Sequence, residues 1–519
     1  MKIVTPKLMQ EIDKQAQSEC GIPAELLMLN AGRGLADFIQ RLIGSKGFKK
    51  KIAVFAGKGN NGGDAFCMAT LLPRDYTVQL FCTSPAEDLS PAARHYYQKL
   101  PDAQARIEQN LVAAESDLLA RAPLLSDCSV IIDGLLGTGF KGEAEGIIRS
   151  AISFMNAQKK YVIAIDIPSG LNAETGMPAP CAVEARDTLT MALPKCGMFV
   201  NEGPDYCGRI TVLDIGLPAN VVDAVKSNAE LLQQGDICPL LSRRKRLSHK
   251  GDYGHILVLA CSYGMTGAGC MAALAALRSG SGLVTIGAPE SLYNALAPHI
   301  LETMVLPLPE TENLSISPEA LPVLEKIMAG FDAALIGPGL SRHPETVEFA
   351  QEYIKRSARP VVIDADALNA VSEDLSVLEN NNPNMVLTPH IGEFSRLTGM
   401  KKEEIMRNRF TAAFDFARTH KVTLVLKGYN SIVTDGKSGI WINSTGNPGM
   451  ATAGMGDVLS GTVASLLGQG LSPLHAAQAG VYIHGLAGDM IAGETGEAGM
   501  IASDIITTIP RALHATAGM

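Results

Sequence analysis

Short, continuously apolar runs alternate with stretches of helical periodicity along most of this chain. Thr5-Pro6 predicts a helix start, an N-cap followed by proline in the first turn, and Leu8, Ile12 and Ala16 then recur at helical spacing. A second helix is predicted over 23–43. The run IAVFA (52–56) predicts a strand, GKGNNGGD (57–64) a loop, and a helical pattern continues through Leu72. Further strands are predicted over 78–82, 129–133 and 161–166, and in DTLTMAL (187–193) and RITVLDI (209–215), with helices over 91–100 and 143–157. A strand apolar at every position is covered on both faces, which is the habit of parallel sheets flanked by helices.

The pattern weakens over 219–253, a polar stretch that carries the run Arg243-Arg244-Lys245-Arg246. A domain boundary is expected near 225–235, giving domains over 1–225 and 226–519. A second series of strands is then predicted over 255–260, 282–288, 333–339, 360–368, 385–390 and 422–428. SIVTDGKSGIWIN (431–443) predicts a hairpin around Asp435-Gly436, and an apolar helix starts at Val458. The halves show no convincing repeat of each other. The fold class is therefore α/β twice over, the first half a doubly wound parallel sheet.

Composition narrows the function. Of 519 residues, 46% are hydrophobic and 19% charged, which describes folded domains rather than a disordered chain. Lys and Arg number 44 against 53 Asp and Glu, and a net charge of −9 argues against nucleic acid or anionic membrane as a partner. The one basic run reads as solvated linker. No Cys-x-x-Cys occurs among 10 cysteines and no His-x-x-x-His among 10 histidines, so neither a disulfide scaffold nor a zinc site is suggested. No apolar stretch follows Lys2, so no signal peptide is expected. The longest run without charge, 458–488, contains Gln469, Pro473, His475, Gln478 and His484, and reads as packed interior helices rather than a membrane span. A cytoplasmic protein is expected.

In open α/β sheets ligands sit beyond the carboxyl ends of the strands, and that rule selects the loops to inspect. Gly57–Asp64 has four glycines in eight residues, so backbone N–H groups can converge on an anion at a helix start. Asn60 and Asn61 add amide groups, and Asp64 is either a helix cap or part of the site. Asp133–Glu143 contains Gly137-x-Gly139-x-x-Gly142, with Asp166 24 residues later. This is either a dinucleotide fingerprint or an ordinary phosphate-binding turn. Asp133 and Asp166 both end apolar strands, where a carboxylate is solvated or holds a cation or a substrate hydroxyl. With Asn61 they offer oxygens to a hard cation.

The second half has a Gly-rich turn, 264–269, with no Lys-Ser or Lys-Thr after it. The one Gly-Lys-Ser, 436–438, has Ser431 where a P-loop needs glycine, so P-loop chemistry is excluded. In NPGMATAGMGDVLSG (447–461), Gly454-Met455-Gly456 precedes Asp457 at the mouth of the apolar helix. Such a turn can present N–H groups to a phosphoryl group and set one carboxylate beside the reacting oxygen as a base; otherwise Asp457 caps the helix. His390 in TPHIGEF and Lys427 in LVLKGYNS stand at strand ends, as ligand contacts or as structural residues.

GNNGGD together with NPGMATAGMGDVLSG, IDIPSGLNAETG, TPHIGEF and LKGYNS resembles the bifunctional NAD(P)H-hydrate repair enzymes, over roughly residues 9–517. The resemblance implies a Rossmann-like NAD(P)HX epimerase domain followed by a ribokinase-like, ADP- or ATP-dependent NAD(P)HX dehydratase domain. The first would interconvert the R and S hydrates of the reduced cofactor, and the second would remove water from the S form. It implies that Asn60, Asn61, Gly62, Gly63, Asp64, Gly137, Thr138, Gly139, Phe140, Lys141, Gly142, Glu143 and Asp166 hold the hydrate in the epimerase. It places potassium on Asn61, Asp133 and Ser169. In the dehydratase it implies Ala268, Gly339, His390 and Asp457 at the hydrate, and Lys427, Gly428, Tyr429, Asn430, Ser431 and Gly456 at the nucleotide, which brings Mg2+. Asp457 is the expected catalytic base of dehydration; for epimerisation Asp166 and Lys195 are both candidates. A homo-oligomer, a tetramer by the same resemblance, is expected. The rival readings are a ribokinase-type small-molecule kinase fused to a nucleotide-binding domain, and a non-catalytic sensor or scaffold in the first half.

Overall fold

The computed structural model describes residues 1–518 apart from 141, 226, 228, 380 and 381. The chain forms two compact units, Lys2–Ser227 and Asn228–Met519 with Met1.

The first unit is built on seven strands: β1 (Lys51–Ala56), β2 (Thr77–Cys82), β3 (Arg106–Leu111), β4 (Val130–Gly134), β5 (Tyr161–Ile165), β6 (Asp187–Met191) and β7 (Arg209–Leu213). All pair in parallel, in the order β3-β2-β1-β4-β5-β6-β7. The order reverses between β1 and β4, so the crevice beyond their carboxyl ends is where a ligand is expected. The interior strands are almost wholly buried, and stacked Phe55 and Phe81 (4.7 Å between centroids) pack one face. Helices α1 (Pro6–Ser18), α2 (Ala24–Lys46), α3 (Asn60–Leu71) and α4 (Gly146–Ala157) flank the sheet. Thr5 caps α1 by accepting the Leu8 N–H at 3.2 Å.

The second unit holds β8 (Ala229–Leu231), β9 (His255–Leu259), β10 (Leu283–Pro289), β11 (Met304–Leu308), β12 (Ala333–Ile336), β13 (Val361–Ile363), β14 (Met385–Leu387), β15 (Thr423–Leu426), β16 (Ile432–Thr434) and β17 (Ile440–Ile442). Their order is β8-β17-β16-β15-β14-β13-β12-β9-β10-β11, with β15-β16 and β16-β17 antiparallel and the other pairs parallel. The switch point lies between β9 and β12. The helices that matter to the site are α5 (Thr266–Arg278), α6 (Ala365–Glu373), α7 (Ile391–Thr398), α8 (Met455–Gly468), α9 (Pro473–Thr495) and α10 (Ala502–Ala517). The uncharged run 458–488 forms α8 and most of α9, both largely buried, and among the described residues no helix is long and apolar enough to cross a membrane.

Several local expectations are corrected. The strands β3 and β11, at the sheet edges, were not expected: RIEQNL is mostly polar with three of six residues exposed, and MVLPL is apolar but only five residues long, two of them exposed. β8 is three residues long inside the polar stretch. The apolar run over 360–368 is strand only to Ile363 and then turns into α6. α3 starts at Asn60, with Gly59 as N-cap, so most of the glycine-rich loop is the first turn of the helix and Asp64 is interior to it. Asp457 is the third residue of α8, and the cap is Gly454.

Candidate functional site

A cavity of about 620 Å3 opens at the β1/β4 switch point of the first unit. Its floor is main chain. A Cβ on Gly57 would stand 2.0 Å from the Leu135 carbonyl oxygen, and one on Gly62 1.9 Å from that of Gly57. Only glycine allows the α3 start to press this closely on the turn after β4. Asn60, Asn61, Asp64, Gly137, Thr138, Gly139, Phe140 and Asp166 line the cavity, while Gly62 and Gly63 lie buried beneath it. Gly142 and Glu143 fall outside the lining, and Lys141 lies outside the described residues. The Gly137–Gly142 spacing does not open a helix: α4 begins at Gly146, so this is an irregular loop over the cavity and not a dinucleotide fingerprint.

Asn61, Asp133 and Ser169 do come together. Asp133 ends β4, fully buried. Its Oδ2 accepts the Ser169 N–H at 2.8 Å, and its Oδ1 accepts the Ser169 hydroxyl at 2.6 Å and the Leu135 N–H at 3.2 Å. Burial pushes its carboxyl up to about 6 against these donors. Asn61 donates its amide N–H to the Leu136 carbonyl at 2.8 Å, and the Leu136 N–H donates to Ser169 Oγ at 2.8 Å. The three side chains thus brace one turn.

Asp166 and Lys195 are partners rather than alternatives. Asp166 sits just past β5 with φ 63°, a backbone strain of about 1–3 kcal/mol for a non-glycine residue. Its Oδ1 accepts from the Lys195 ammonium at 2.5 Å, from Thr190 Oγ1 at 3.2 Å and from the Met191 N–H at 3.2 Å. Lys195 is 1% exposed and also donates to Thr190 Oγ1 at 2.9 Å. Two further carboxyls face this pair. Asp13, on α1, lines the same cavity; burial lifts it to about 6, with Lys195 pulling it down and Asp166 pushing it up. Burial, then the neighbouring Asp166 and Asp13, raise Asp64 well above the usual carboxylate range. Sequence reasoning missed Asp13 altogether. It belongs to no motif and reaches the site only because α1 crosses the cavity.

In the second unit a cavity of about 640 Å3 lies beyond β14 and β15. His390, Lys427, Gly428, Tyr429, Asn430, Ser431 and Gly456 line it. Gly454, at φ 87°, turns the chain so that α8 points its first N–H groups outward; Val458 is the first to find a helical partner, the Gly454 carbonyl at 3.1 Å. The Lys427 ammonium stands 3.2 Å from where a Cβ on Gly456 would be, against that helix start. It donates to Asp364 Oδ1 at 2.7 Å and lies 3.9 Å from Glu393 Oε2. Burial opposes its charge, but Asp364, Glu393 and Asp457 together hold it above the usual lysine value. Desolvation, with Asp364 adding and Lys427 opposing, raises Asp457 to about 7; burial first, against Lys427, raises Glu393 to about 7. Asp364 and Asp366 were not anticipated, because the apolar run over 360–368 concealed the end of the strand.

His390 has a structural role as well. Its Nδ1 accepts the Gly392 and Glu393 N–H groups at 2.9 and 3.2 Å, capping α7, which assigns the proton to Nε2. Ala268 and Gly339 meet at the β9/β12 switch point, a Cβ on Gly339 standing 3.1 Å from that of Ala268. They lie outside the lining of that cavity, and the turn after β12 that holds Gly339 is tied to the carboxylate cluster by the Ser341 N–H on Asp366 Oδ2 at 3.0 Å. Among the described residues no three His, Cys, Asp or Glu side chains gather as a metal site.

Comparison with known proteins accords with this division. A family model described as YjeF-related protein N-terminus matches residues 24–197, and one described as NAD(P)H-hydrate dehydratase matches residues 256–511. A Moorella thermoacetica protein named bifunctional NAD(P)H-hydrate repair enzyme Nnr is 40% identical over 518 residues, 99% of this chain and 97% of its own. Its namesake from Coxiella burnetii is 36% identical over 489 residues, 94% of each chain. A solved ribokinase-like superfamily protein from Enterococcus faecalis V583 shares the second fold, with a TM-score of 0.50 at 24% identity over 56% of this chain and 98% of that one.

Proposed function

The chain belongs to the family of bifunctional NAD(P)H-hydrate repair enzymes, and from that premise we propose that the unit Lys2–Ser227 epimerises the R and S hydrates while the second unit dehydrates the S form. The protein is an NAD(P)H-hydrate epimerase and dehydratase, and the kinase and scaffold readings are not favoured. The observation that carries the assignment of sites is that each unit has its cavity at the end of its own sheet, one lined by an acid-base cluster and the other by a helix start beside a lysine.

Hydration of the dihydropyridine enamine places the hydroxyl on the carbon bonded to the ring nitrogen. Epimerisation breaks that C–O bond as the nitrogen lone pair forms C=N and the departing oxygen takes a proton, after which water adds to the opposite face and gives a proton up. The group Asp13, Asp64, Asp166 and Lys195 suits both events, since two carboxyls raised by burial can take up and return protons beside an ion pair. Asp166 is the catalytic candidate, and Asn60, Asn61, Asp64 and Gly137–Phe140 are the hydrate contacts. The residues fit potassium. Asp133 is a buried carboxylate held by neutral donors, and Asn61 and Ser169 add oxygens. A cation there would supply the positive charge that Asp133 lacks.

In the dehydratase, Asp457 takes the proton of the substrate hydroxyl as the terminal phosphoryl of ADP or ATP passes to its oxygen. Phosphate then departs with the C–O electron pair, the neighbouring carbon loses a proton, and the reduced ring is restored. The first N–H groups of α8 and the Lys427 ammonium stabilise charge on the phosphoryl group. Asp364 and Glu393 hold Lys427 in place. Ala268, Gly339 and His390 are the hydrate contacts, and Lys427–Ser431 with Gly456 the nucleotide contacts. Mg2+ needs few protein ligands here and enters with the nucleotide phosphates. A homo-oligomer and a cytoplasmic setting are part of the same reading, supported by the family resemblance. The test is the absorbance of the reduced nicotinamide ring when a mixed R/S hydrate is supplied with ADP or ATP. Recovery to completion is expected, whereas recovery stopping near half would refute the epimerase, and none with either nucleotide would refute the dehydratase.

A further inference from the structure

Arg409, at the start of the helix Arg409–His420, is only 6% exposed, yet no carboxylate pairs with it among the described residues. Its Nη1 donates to the Tyr429 carbonyl at 3.5 Å, a long contact. Its Nη2 comes within 3.3 Å of where a Cβ on Gly428 would stand. Its Nε is buried without any hydrogen-bond partner. A guanidinium has five N–H donors in a rigid fork and cannot shed its charge at physiological pH, so leaving it desolvated and unpaired is strongly unfavourable. Burial alone moves this group, down to about 10, with no neighbouring carboxylate to offset it. Sequences tolerate such a cation where an anion from elsewhere completes it. The backbone on which Arg409 rests, Gly428 and Tyr429, lines the second unit's cavity.

We propose that Arg409 is the cationic floor of the phosphate subsite in that cavity, and that the phosphates of the adenine nucleotide are the counter-charge it lacks. This rests on the dehydratase reading above and deepens it. Gly428 matters in the same way: without a side chain, nothing stands between the guanidinium and a phosphate lying along the loop. Lys427 alone does not balance the phosphates, because Asp364 and Glu393 already offset much of its charge.

The test uses the full-length protein with Arg409→Met and Arg409→Lys, and three probes: ADP, ATP and adenosine, the last lacking phosphate. Binding is read by thermal shift and by the nucleotide KM, with the epimerisation rate as an internal control for folding. Arg409→Met should weaken ADP and ATP about tenfold or more while changing adenosine less than twofold, and Arg409→Lys should restore most of the loss. Added salt should weaken ADP binding to the parent more steeply than to Arg409→Met. Without nucleotide, Arg409→Met should melt no lower than the parent. Equal weakening of ADP and adenosine, or no weakening of either, would overturn the proposal and leave Arg409 as a prop for the loop. Binding that depends on Arg409 in a chain unable to restore the hydrate would support the subsite and overturn the dehydratase reading. A parent chain indifferent to all three probes would overturn both.

Discussion

Replacing Asp457 by Asn should abolish dehydration and at the same time make the second unit more stable. In the folded chain, desolvation and the nearby Asp364 raise this carboxyl from 3.8 to about 7, even with Lys427 opposing them. A group whose folded pKa is raised favours the fold below its unfolded value, here 3.8, and that contribution is lost as pH rises through 7. At pH 8 the folded chain carries a charge that its surroundings disfavour. Three units at 1.36 kcal/mol each set an upper limit of about 4 kcal/mol on the cost, and asparagine cannot ionise. Asp457→Asn should therefore gain about 2–4 kcal/mol at pH 8, less at pH 5, and almost nothing near pH 3. Calorimetry of the full-length protein at these three values measures the gain. The dehydration rate of the parent should climb through about pH 7 as the carboxyl ionises, and Glu393, also near 7, shares that titration. A variant that is less stable at pH 8, or stabilised equally at every pH, would refute the reasoning. So would a variant that still dehydrates at the parent rate.

Asp13→Asn should slow epimerisation about tenfold or more while leaving dehydration of pure S hydrate unchanged, as measured by chromatographic separation of the epimers; equal loss of both would remove Asp13 from the proton inventory. Asp133→Asn should erase any advantage of potassium over lithium in the epimerase, read by titrating each salt at fixed ionic strength. Gly62→Ala places a methyl group 1.9 Å from the Gly57 carbonyl oxygen and should destabilise the first unit by about 2 kcal/mol or more, visible as an earlier melt with the second unit unaffected.

Much of the architecture could be read from the chain because parallel strands announce themselves as unbroken apolar runs, and the turns that follow them are rich in glycine. Asp133 and Asp166 were visible for that reason, each a lone carboxylate ending an apolar strand, and Asp457 because it follows a glycine-rich turn and opens an apolar helix. What escaped lacks a local signature. Strands β3 and β11 are edges: the first is mostly polar, and the second is apolar but too short to stand out from its surroundings. Asp364 hid inside a run that stays apolar on both sides of the strand's end. The spacing of Gly137, Gly139 and Gly142 imitated a fingerprint, but such a pattern describes a turn into a helix, and here the helix waits until Gly146. Asp13 and Arg409 sit on ordinary amphipathic helices. Their meaning comes from what the fold lays beside them, an ion pair in one case and a loop of bare backbone in the other.

The glycine floor of the first cavity bears on how this protein can drift. Where Gly57 and Gly62 press against neighbouring carbonyls, the shape of the pocket is written in peptide bonds. No compensating change of side chain can repair a methyl group inserted there, so those positions are closed to neutral variation. The walls are different. Met9, Thr138 and Phe140 line the same space and carry side chains that can be exchanged. Descendants of this chain can reshape the pocket by trading wall residues, while its glycine seat passes unaltered from one lineage to the next.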